Sequence, residues 1–293
     1  MARVVALVVN FNAGPLLGRC LGALLDEPLI ERVELVDNGS SDDSLAQVQA
    51  SFGPAQRLQT SINSSNLGFA GAVNSRLDAL ADADWVLIAN PDAWPEPGAV
   101  TAMLDAATAG CDIGLAGAWV VDEQGREQRA TRRRLPTPWR ALMTFSGLER
   151  LAWRYPSLSG VTICGEHDRV NPCEVEAVSG AFMLVRGSAL QALNGMDAGF
   201  FLHCEDLDLF VRLSQAGYRI LLVPQARVVH RQGTPSASIP ARVWWHKHRS
   251  MGRYLIKHAV GPVQHLLALI LLPAVLLRGA LGAALCRLLR RGR

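Results

Sequence analysis

The chain has 293 residues, 49% hydrophobic and 19% charged, which is enough for a sizeable core and excludes a disordered polymer. Its formal charge of +3 conceals a division. Residues 1–208 hold 15 arginines against all 26 acids, whereas residues 209–293 hold 14 basic residues and no acid. A basic C-terminal end points to an anionic partner: phospholipid, nucleic acid or a pyrophosphate-bearing substrate. Six scattered cysteines form no C-x-x-C pair and no signal peptide opens the chain, so free thiols in a reducing cytoplasm are expected.

The apolar run Val4–Val9 predicts a central strand. Asn10, Asn12, Gly14 and Pro15 punctuate it, before a helix from about Leu16 to Leu25. Val33–Val36 predicts a second strand, closed by Asp37-Asn38-Gly39-Ser40-Ser41-Asp42. Ser41 or Asp42 is expected to cap the helix through Leu45, Val48 and Gln49. Asn66-Leu67-Gly68 leads into a helix with Ala72, Val73, Leu77 and Leu80 on its apolar face. Trp85–Ile88 predicts a buried strand that Asn90-Pro91 ends, because proline lacks the N–H for the ladder and pushes its predecessor towards extended geometry. Asp92 is thereby delivered at a strand's carboxyl end, where open α/β sheets bind ligands.

Residues 122–174 are less regular. The basic, proline-interrupted stretch Arg126–Arg140 reads as a solvated loop, or as a contact for an anionic substrate. Glu174–Val185 predicts a strand broken at Ser179-Gly180, and Glu205–Ala216 a helix with Gly217 just beyond its end. Tyr218–Val223 predicts a last strand before Pro224. Strands alternating with helices define an α/β fold with a doubly wound, mostly parallel central sheet and helices on both faces. The first hundred residues read as its nucleotide-binding half.

The C-terminal part changes character. Arg242–His258 mixes Trp244, Trp245 and Tyr254 with Arg242, Lys247, Arg249 and Arg253, the pattern of a basic helix lying in a membrane interface. Leu266–Cys286 is about long enough to cross a bilayer. Pro273 and Arg278 weigh against a full span and favour an in-surface or re-entrant anchor. A buried helical hairpin of a soluble dimer is the alternative. Arg287, Arg290, Arg291 and Arg293 would lie on the cytoplasmic side.

Polar clusters at strand ends are candidates for chemistry because one crevice would collect them: Asn10 and Asn12, Asp37 and Asn38, Asn90 and Asp92. A carboxylate such as Asp37 can accept from a base imide or a ribose hydroxyl, and Asp92 can hold a hard divalent cation through oxygen. No G-x-G-x-x-G follows the first strand and no G-x-x-x-x-G-K-[ST] is present, which sets aside dinucleotide oxidoreductases and P-loop NTPases. Three acids, Glu205, Asp206 and Asp208, open a helix, where the macrodipole favours them. Asp208 and Arg212 read as a routine surface pair at i,i+4, which leaves Glu205 and Asp206 to explain. His230 follows an apolar pair and precedes Gly233-Thr234, and could complete a carboxylate–metal site.

The segments VVNFN (8–12), VDNGSSD (36–42), NLGFAGAVN (66–74), ANPDA (89–93), SGAFMLVRGSAL (179–190), HCEDLDLFVRLSQAGYRI (203–220) and VVHRQG (228–233) occur in this order. Together they resemble the inverting glycosyltransferases of family 2, most closely the rhamnosyltransferase-like branch, over about residues 4–258. The resemblance implies a GT-A fold over residues 1–240, with a donor half (1–100) and an acceptor and catalytic half (101–240), and a helical membrane-associating tail at 241–293. It implies a nucleotide-diphosphate sugar donor, first of all dTDP-rhamnose, and Mg2+ or Mn2+ held by Asp92 with His230. The family's D-x-D becomes Asn90-Pro91-Asp92 here, which leaves Asp92 as the single carboxylate of that motif. By similarity Asn10, Asn12, Asp37, Asn38, Asn66, Gly68, Asn74 and Asn90 join Asp92 at the donor. Asp206 is the expected catalytic base with Glu205 second, and Ser179, Gly180, Arg132 and Arg134 are placed at the acceptor. The implied acceptor is a lipid-linked or polysaccharide hydroxyl at the inner face of the cytoplasmic membrane, with no nucleic acid. Two other readings stay open: a metal-dependent nucleotidyltransferase or hydrolase, and a non-enzymatic protein binding a membrane surface or nucleic acid.

Overall fold

Seven consecutive buried residues, Val4–Asn10, form β1 near the middle of the molecule. Their alternation serves two cores: Val5, Leu7 and Val9 face one layer, and Val4, Ala6 and Val8 the other. The computed structural model describes residues 2–53, 56–161, 170–231 and 241–291, and of 288–291 the backbone alone.

In chain order, β1 is followed by α1 (Leu16–Asp26), β2 (Ile30–Asp37), α2 (Ser44–Phe52), β3 (Leu58–Ile62), α3 (Gly68–Asn74), β4 (Trp85–Ala89) and β5 (Ala93–Pro95). Then come α4 (Ala99–Thr108), β6 (Ile113–Val121), β7 (Arg132–Arg133), α5 (Pro138–Ser146), β8 (Cys173–Glu174), β9 (Ala177–Val178) and β10 (Phe182–Arg186). The chain finishes with α6 (Gly187–Ala192), α7 (Glu205–Gln215), β11 (Arg219–His230), α8 (Ala241–Lys257) and α9 (Gly261–Arg291).

The main sheet runs β3-β2-β1-β4-β10-β6-β11-β5, with β8 beside β11. Its first four strands are parallel. β10 enters between β4 and β6 antiparallel to both, which makes the sheet mixed. That insertion brings the residues before β10 to the carboxyl end of β4, because Asn90 N donates to the Ala181 carbonyl at 2.8 Å. Helices cover both faces: α1 and α4 on one, α3, α6 and α7 on the other.

Several expectations need correction. The last strand does not stop at Pro224: β11 shifts register between Val223 and Arg227, then resumes pairing to Val229. The bulge absorbs the missing N–H and carries the chain on to His230. Residues 126–140 are not a solvated loop. Arg132 is buried, β7 pairs with β9, and Thr137 caps α5 by accepting from Arg140 N. Asp208 is no surface residue. It is fully buried and meets His258 Nε2 at 2.8 Å, Lys257 Nζ at 2.6 Å and Arg212 Nε at 2.7 Å. Burial alone would raise its pKa, but the bonds from His258, Lys257 and Arg212 outweigh that and hold it below the usual carboxylate range.

That network fastens α8 to α7. Tyr254 and Leu255 of α8, and Ala268, Leu271 and Val275 of α9, belong to the same apolar core as β1. α9 runs unbroken through Pro273 and packs along α8, where Trp244 Nε1 donates to the Arg278 carbonyl at 3.3 Å. Close approach is possible because Gly279 and Gly282 leave room for His248 and Trp244. The apolar stretch Gly261–Arg287 has a mean hydropathy of 2.2 in its most apolar window, of which 28% is buried, so most of the helix remains uncovered. Cys20, Cys111, Cys204 and Cys286 are free thiols. Gly233, Thr234 and the side chains of Arg290, Arg291 and Arg293 lie outside the described residues.

Candidate active site

The carboxyl ends of β1, β2 and β4 lie side by side, since Asn10 pairs with Asp37 and Val8 with Ala89. Beyond them opens a cleft of about 270 Å³. Asn38, Asn66, Gly68 and Pro91 line it from the sheet side, and Phe201, Leu202, Arg242 and His246 from the other. Asn38 Nδ2 donates to Asn66 Oδ1 at 3.1 Å, and Asn66 Oδ1 also accepts from Gly68 N at 2.8 Å. Gly68 has φ +76°, and a Cβ there would strike the Phe201 backbone, so glycine alone fits.

Asn10, Asn12 and Asp37 act one layer back. Buried Asn10 donates to Asp37 Oδ1 at 2.8 Å and to Ser44 Oγ at 2.9 Å, while Asp37 Oδ2 accepts from Ser40 N at 3.1 Å. Asn12 Oδ1 accepts from the amides of Ser41 and Asp42 at 2.7 and 3.2 Å. These bonds shape the strand-end loops. Asn74 lies apart from the cleft: its amide bonds both ways with the Met196 backbone, at 2.6 and 2.8 Å, and braces that turn.

Asn90 sets the turn after β4, its carbonyl accepting from Ala93 N at 3.1 Å. Asp92 then meets the end of β11, where His230 Nε2 lies 3.2 Å from its Oδ1. Gln128 orients that imidazole. Its Nε2 donates to the His230 carbonyl at 2.6 Å, which turns Oε1 towards His230 Nδ1 at 3.0 Å. Nδ1 thus faces the amide oxygen of Gln128 and Nε2 faces the Asp92 carboxylate, a nitrogen–oxygen pair that a proton or a cation can bridge.

The second cluster stands at the start of α7. His203 and Cys204 precede it with φ +65° and +67°, a costly backbone for residues with a Cβ. Asp206 projects towards β7 and the Ser179-Gly180 break. Arg133 Nη2 lies 2.5 Å from its Oδ2, and a Cβ on Gly180 would sit 2.8 Å from the same oxygen. Ser179 is buried, its Oγ accepting from Ala181 N at 3.3 Å. Because Ala181 also holds Asn90, the Asp92 and Asp206 clusters are joined through three residues of chain. Glu205 points inward. Burial, then the neighbouring Asp206 charge, pushes its carboxyl up to about 8, so it is neutral at pH 7. A carboxyl whose pKa rises on folding destabilises the native state progressively as pH climbs from its unfolded value towards 8. Wild type is thus expected to lose thermal stability relative to Glu205→Gln between pH 5 and 8; parallel melting curves across that range would refute the assignment.

The family model for Glycosyl transferase family 2 matches residues 5–164, and that for Glycosyl transferase family group 2 matches residues 166–289. The chain is 31% identical over 248 residues to the N-acetylglucosaminyl-diphospho-decaprenol L-rhamnosyltransferase of Mycobacterium tuberculosis, spanning 80% of this chain and 77% of that protein. It belongs to glycosyltransferase family 2. The fold is also that of two solved structures. The Pyrobaculum calidifontis mannosyltransferase PcManGT, in complex with GDP-Man and Mn2+, superposes with a TM-score of 0.60 at 18% identity, covering 98% of this chain and 75% of that one. GalNAc-T7 with UDP, GalNAc and Mn2+ gives 0.64 at 13% identity, covering 88% of this chain and about half of that one, 48%.

For this family 2 glycosyltransferase, of rhamnosyltransferase-like sequence, the Asp92–His230 pair fits a divalent cation: one oxygen and one nitrogen donor, with a second residue orienting the imidazole. Among the described residues no third His, Cys, Asp or Glu joins them, so remaining positions would fall to phosphate oxygens and water.

Arg132 and Arg134, expected at the acceptor, do not touch Asp206. Arg132 bonds Glu127 at 3.0 Å and lies over the Trp119 ring, while Arg134 lines a separate cavity. Arg133 between them holds Asp206. No local pattern marks it, since β7 is only two residues long. Gln128 and His246 were also missed, and Arg242, expected in a membrane-interface helix, walls the cleft. His246 stacks on Phe201 with centroids 4.5 Å apart, a pairing that no local pattern announces.

Proposed function

We propose that this glycosyltransferase transfers L-rhamnose from dTDP-rhamnose to a hydroxyl of a lipid-linked glycan, inverting the anomeric centre by metal-assisted single displacement. The similarity to the mycobacterial rhamnosyltransferase over 80% of the chain carries the donor and acceptor. Residues 1–100 would supply most of the donor cleft, and residues 101–240 the acceptor side. Asn38, Asn66 and Gly68 frame the nucleotide end, where polar side chains and an open backbone meet a base and ribose. At the other end Asp206 removes the proton of the incoming hydroxyl. Arg133 keeps that carboxylate aimed, Gly180 clears its approach, and the raised Glu205 carboxyl spares it a second negative charge alongside.

Asp92 and His230 would hold Mg2+ or Mn2+ on the donor diphosphate, and the ion would neutralise the charge of the leaving group. Asp92→Ala is expected to abolish metal-dependent binding of dTDP-rhamnose in calorimetry; equal affinity with and without Mn2+ in wild type and variant would remove the role. The test of the whole reading is turnover with a panel of nucleotide sugars, Mg2+ or Mn2+, and a diphosphate-linked N-acetylglucosamine lipid. Release of dTDP that depends on that lipid supports it, and release of a nucleoside monophosphate overturns it. The uncovered face of α9 and the basic tail support residence at the inner face of the cytoplasmic membrane.

A further inference from the structure

A second cavity, about 580 Å³, lies between the end of β7 and two short 3-10 turns, Leu148–Leu151 and Pro156–Leu158. Arg134, Arg150 and Trp153 line it, with one acid, Glu149. Glu149 is committed: it accepts from Thr144 Oγ1 at 2.7 Å, and Gly160 packs so tightly on that pair that no side chain fits there. Among the described residues neither Arg134 nor Arg150 has an ion-pair partner. The cavity therefore presents two free guanidinium groups. Arg134 is also the chain neighbour of Arg133, so the cavity opens one residue from the ion pair of the base.

Its rim is apolar and bare. Trp153 is 83% exposed, and Phe145, Leu148 and Leu151 are each exposed beside it. α9 continues this surface, with Arg278 placed 5.7 Å over the Phe145 ring and Leu266, Ile270, Leu277 and Leu281 turned outward. α9 is 31 residues long and is bound along one side to α8. A helix held along one side and apolar on the other is suited to lie in the surface of a bilayer. The charge selects the occupant. With no acid after Asp208, a second copy would bring like charge to like, whereas an anionic bilayer complements it.

We propose that the Arg134–Arg150 cavity binds the diphosphate of an isoprenoid-diphosphate acceptor while Trp153 and the outer face of α9 rest in the anionic membrane surface. The inference builds on the lipid-linked acceptor argued above and adds its binding site. Guanidinium pairs grip phosphate oxygens bidentately, and a tryptophan at headgroup depth has its ring in the acyl boundary and its N–H in water. The lipid chain would leave the cavity past Trp153 into the bilayer.

The test uses the full chain saturated with dTDP and Mn2+, so that the donor cleft is filled, and farnesyl diphosphate as probe. Farnesyl diphosphate is expected to bind at least about tenfold tighter than either farnesol or inorganic diphosphate. Arg134→Ala/Arg150→Ala is expected to lose at least about tenfold in that affinity and to keep its affinity for dTDP. Arg150 is exposed, so Arg150→Glu provides a second variant without risk to folding. Trp153→Ser is expected to lower partitioning onto vesicles of phosphatidylcholine with 30% phosphatidylglycerol at least about threefold. Unchanged probe affinity in both arginine variants overturns the site, and unchanged partitioning overturns the membrane contact. If transfer to the diphosphate-linked lipid fails while the arginine variants still lose the probe, the site stands and the proposed acceptor falls.

Discussion

Replacing Asp206 with asparagine is expected to lower kcat by about 10²–10⁴ while donor affinity stays within a factor of two. Asparagine has nearly the shape of aspartate and can still meet Arg133, so the fold and the cleft persist. What disappears is the group that accepts a proton from the acceptor hydroxyl. Glu205 cannot substitute, because burial keeps its carboxyl neutral at pH 7 and its Oε2 is enclosed. Arg133→Gln is the informative companion. It should weaken kcat less than Asp206→Asn, because the carboxylate stays and loses only the guanidinium that aims it. Full turnover in Asp206→Asn would pass the role of base to another residue.

The largest loss of stability is expected from Asp208→Ala, about 3–5 kcal/mol, read from denaturant midpoints. Asp208 is fully buried beneath Arg212, Lys257 and His258, and its removal leaves Arg212 without its carboxylate and His258 without its acceptor, while Lys257 keeps Asp197. Arg212 also donates to the carbonyls of Leu193 and Gly195 at 3.0 and 2.9 Å, so the damage spreads to the turn that Asn74 braces. The Asp208 carboxyl is held below its usual range. Its stabilisation is therefore complete above the unfolded carboxylate pKa and disappears as pH falls through the folded value. Wild type and variant should converge in strong acid. A cost under about 1 kcal/mol at pH 7 would mean that α8 is held by its apolar contacts alone.

Much of this architecture was legible in the chain. β1, β4, α1 and α7 follow from unbroken apolar runs and a 3.6-residue period, and Gly217 beyond α7 has φ +85° as a helix-ending glycine should. The weaker elements escaped. β3 is half exposed with no strong alternation, and β7 and β9 are two residues each, held only by one another. β6, Ile113–Val121, is buried throughout but carries glycine and alanine at its centre, so its apolar character is diluted. The polar side chains at strand ends were also visible, but not their division of labour. Asn10 and Asp37 read the same as Asn38 and Asn66; only the packing shows which two face inward.

What the sequence determined alone is the strongly apolar strands, their polar ends and the basic apolar tail, because each is a local pattern of hydrophobicity and charge. Its ordered motifs were enough to mark the family. Tertiary structure decided the rest: that β10 enters antiparallel and carries Gly180 to Asp206, that the bulge after Val223 lets His230 reach Asp92, and that Asp208 is a buried fastener for α8. Those outcomes depend on contacts between residues far apart in the chain, and no local periodicity encodes the distance between two strands' ends.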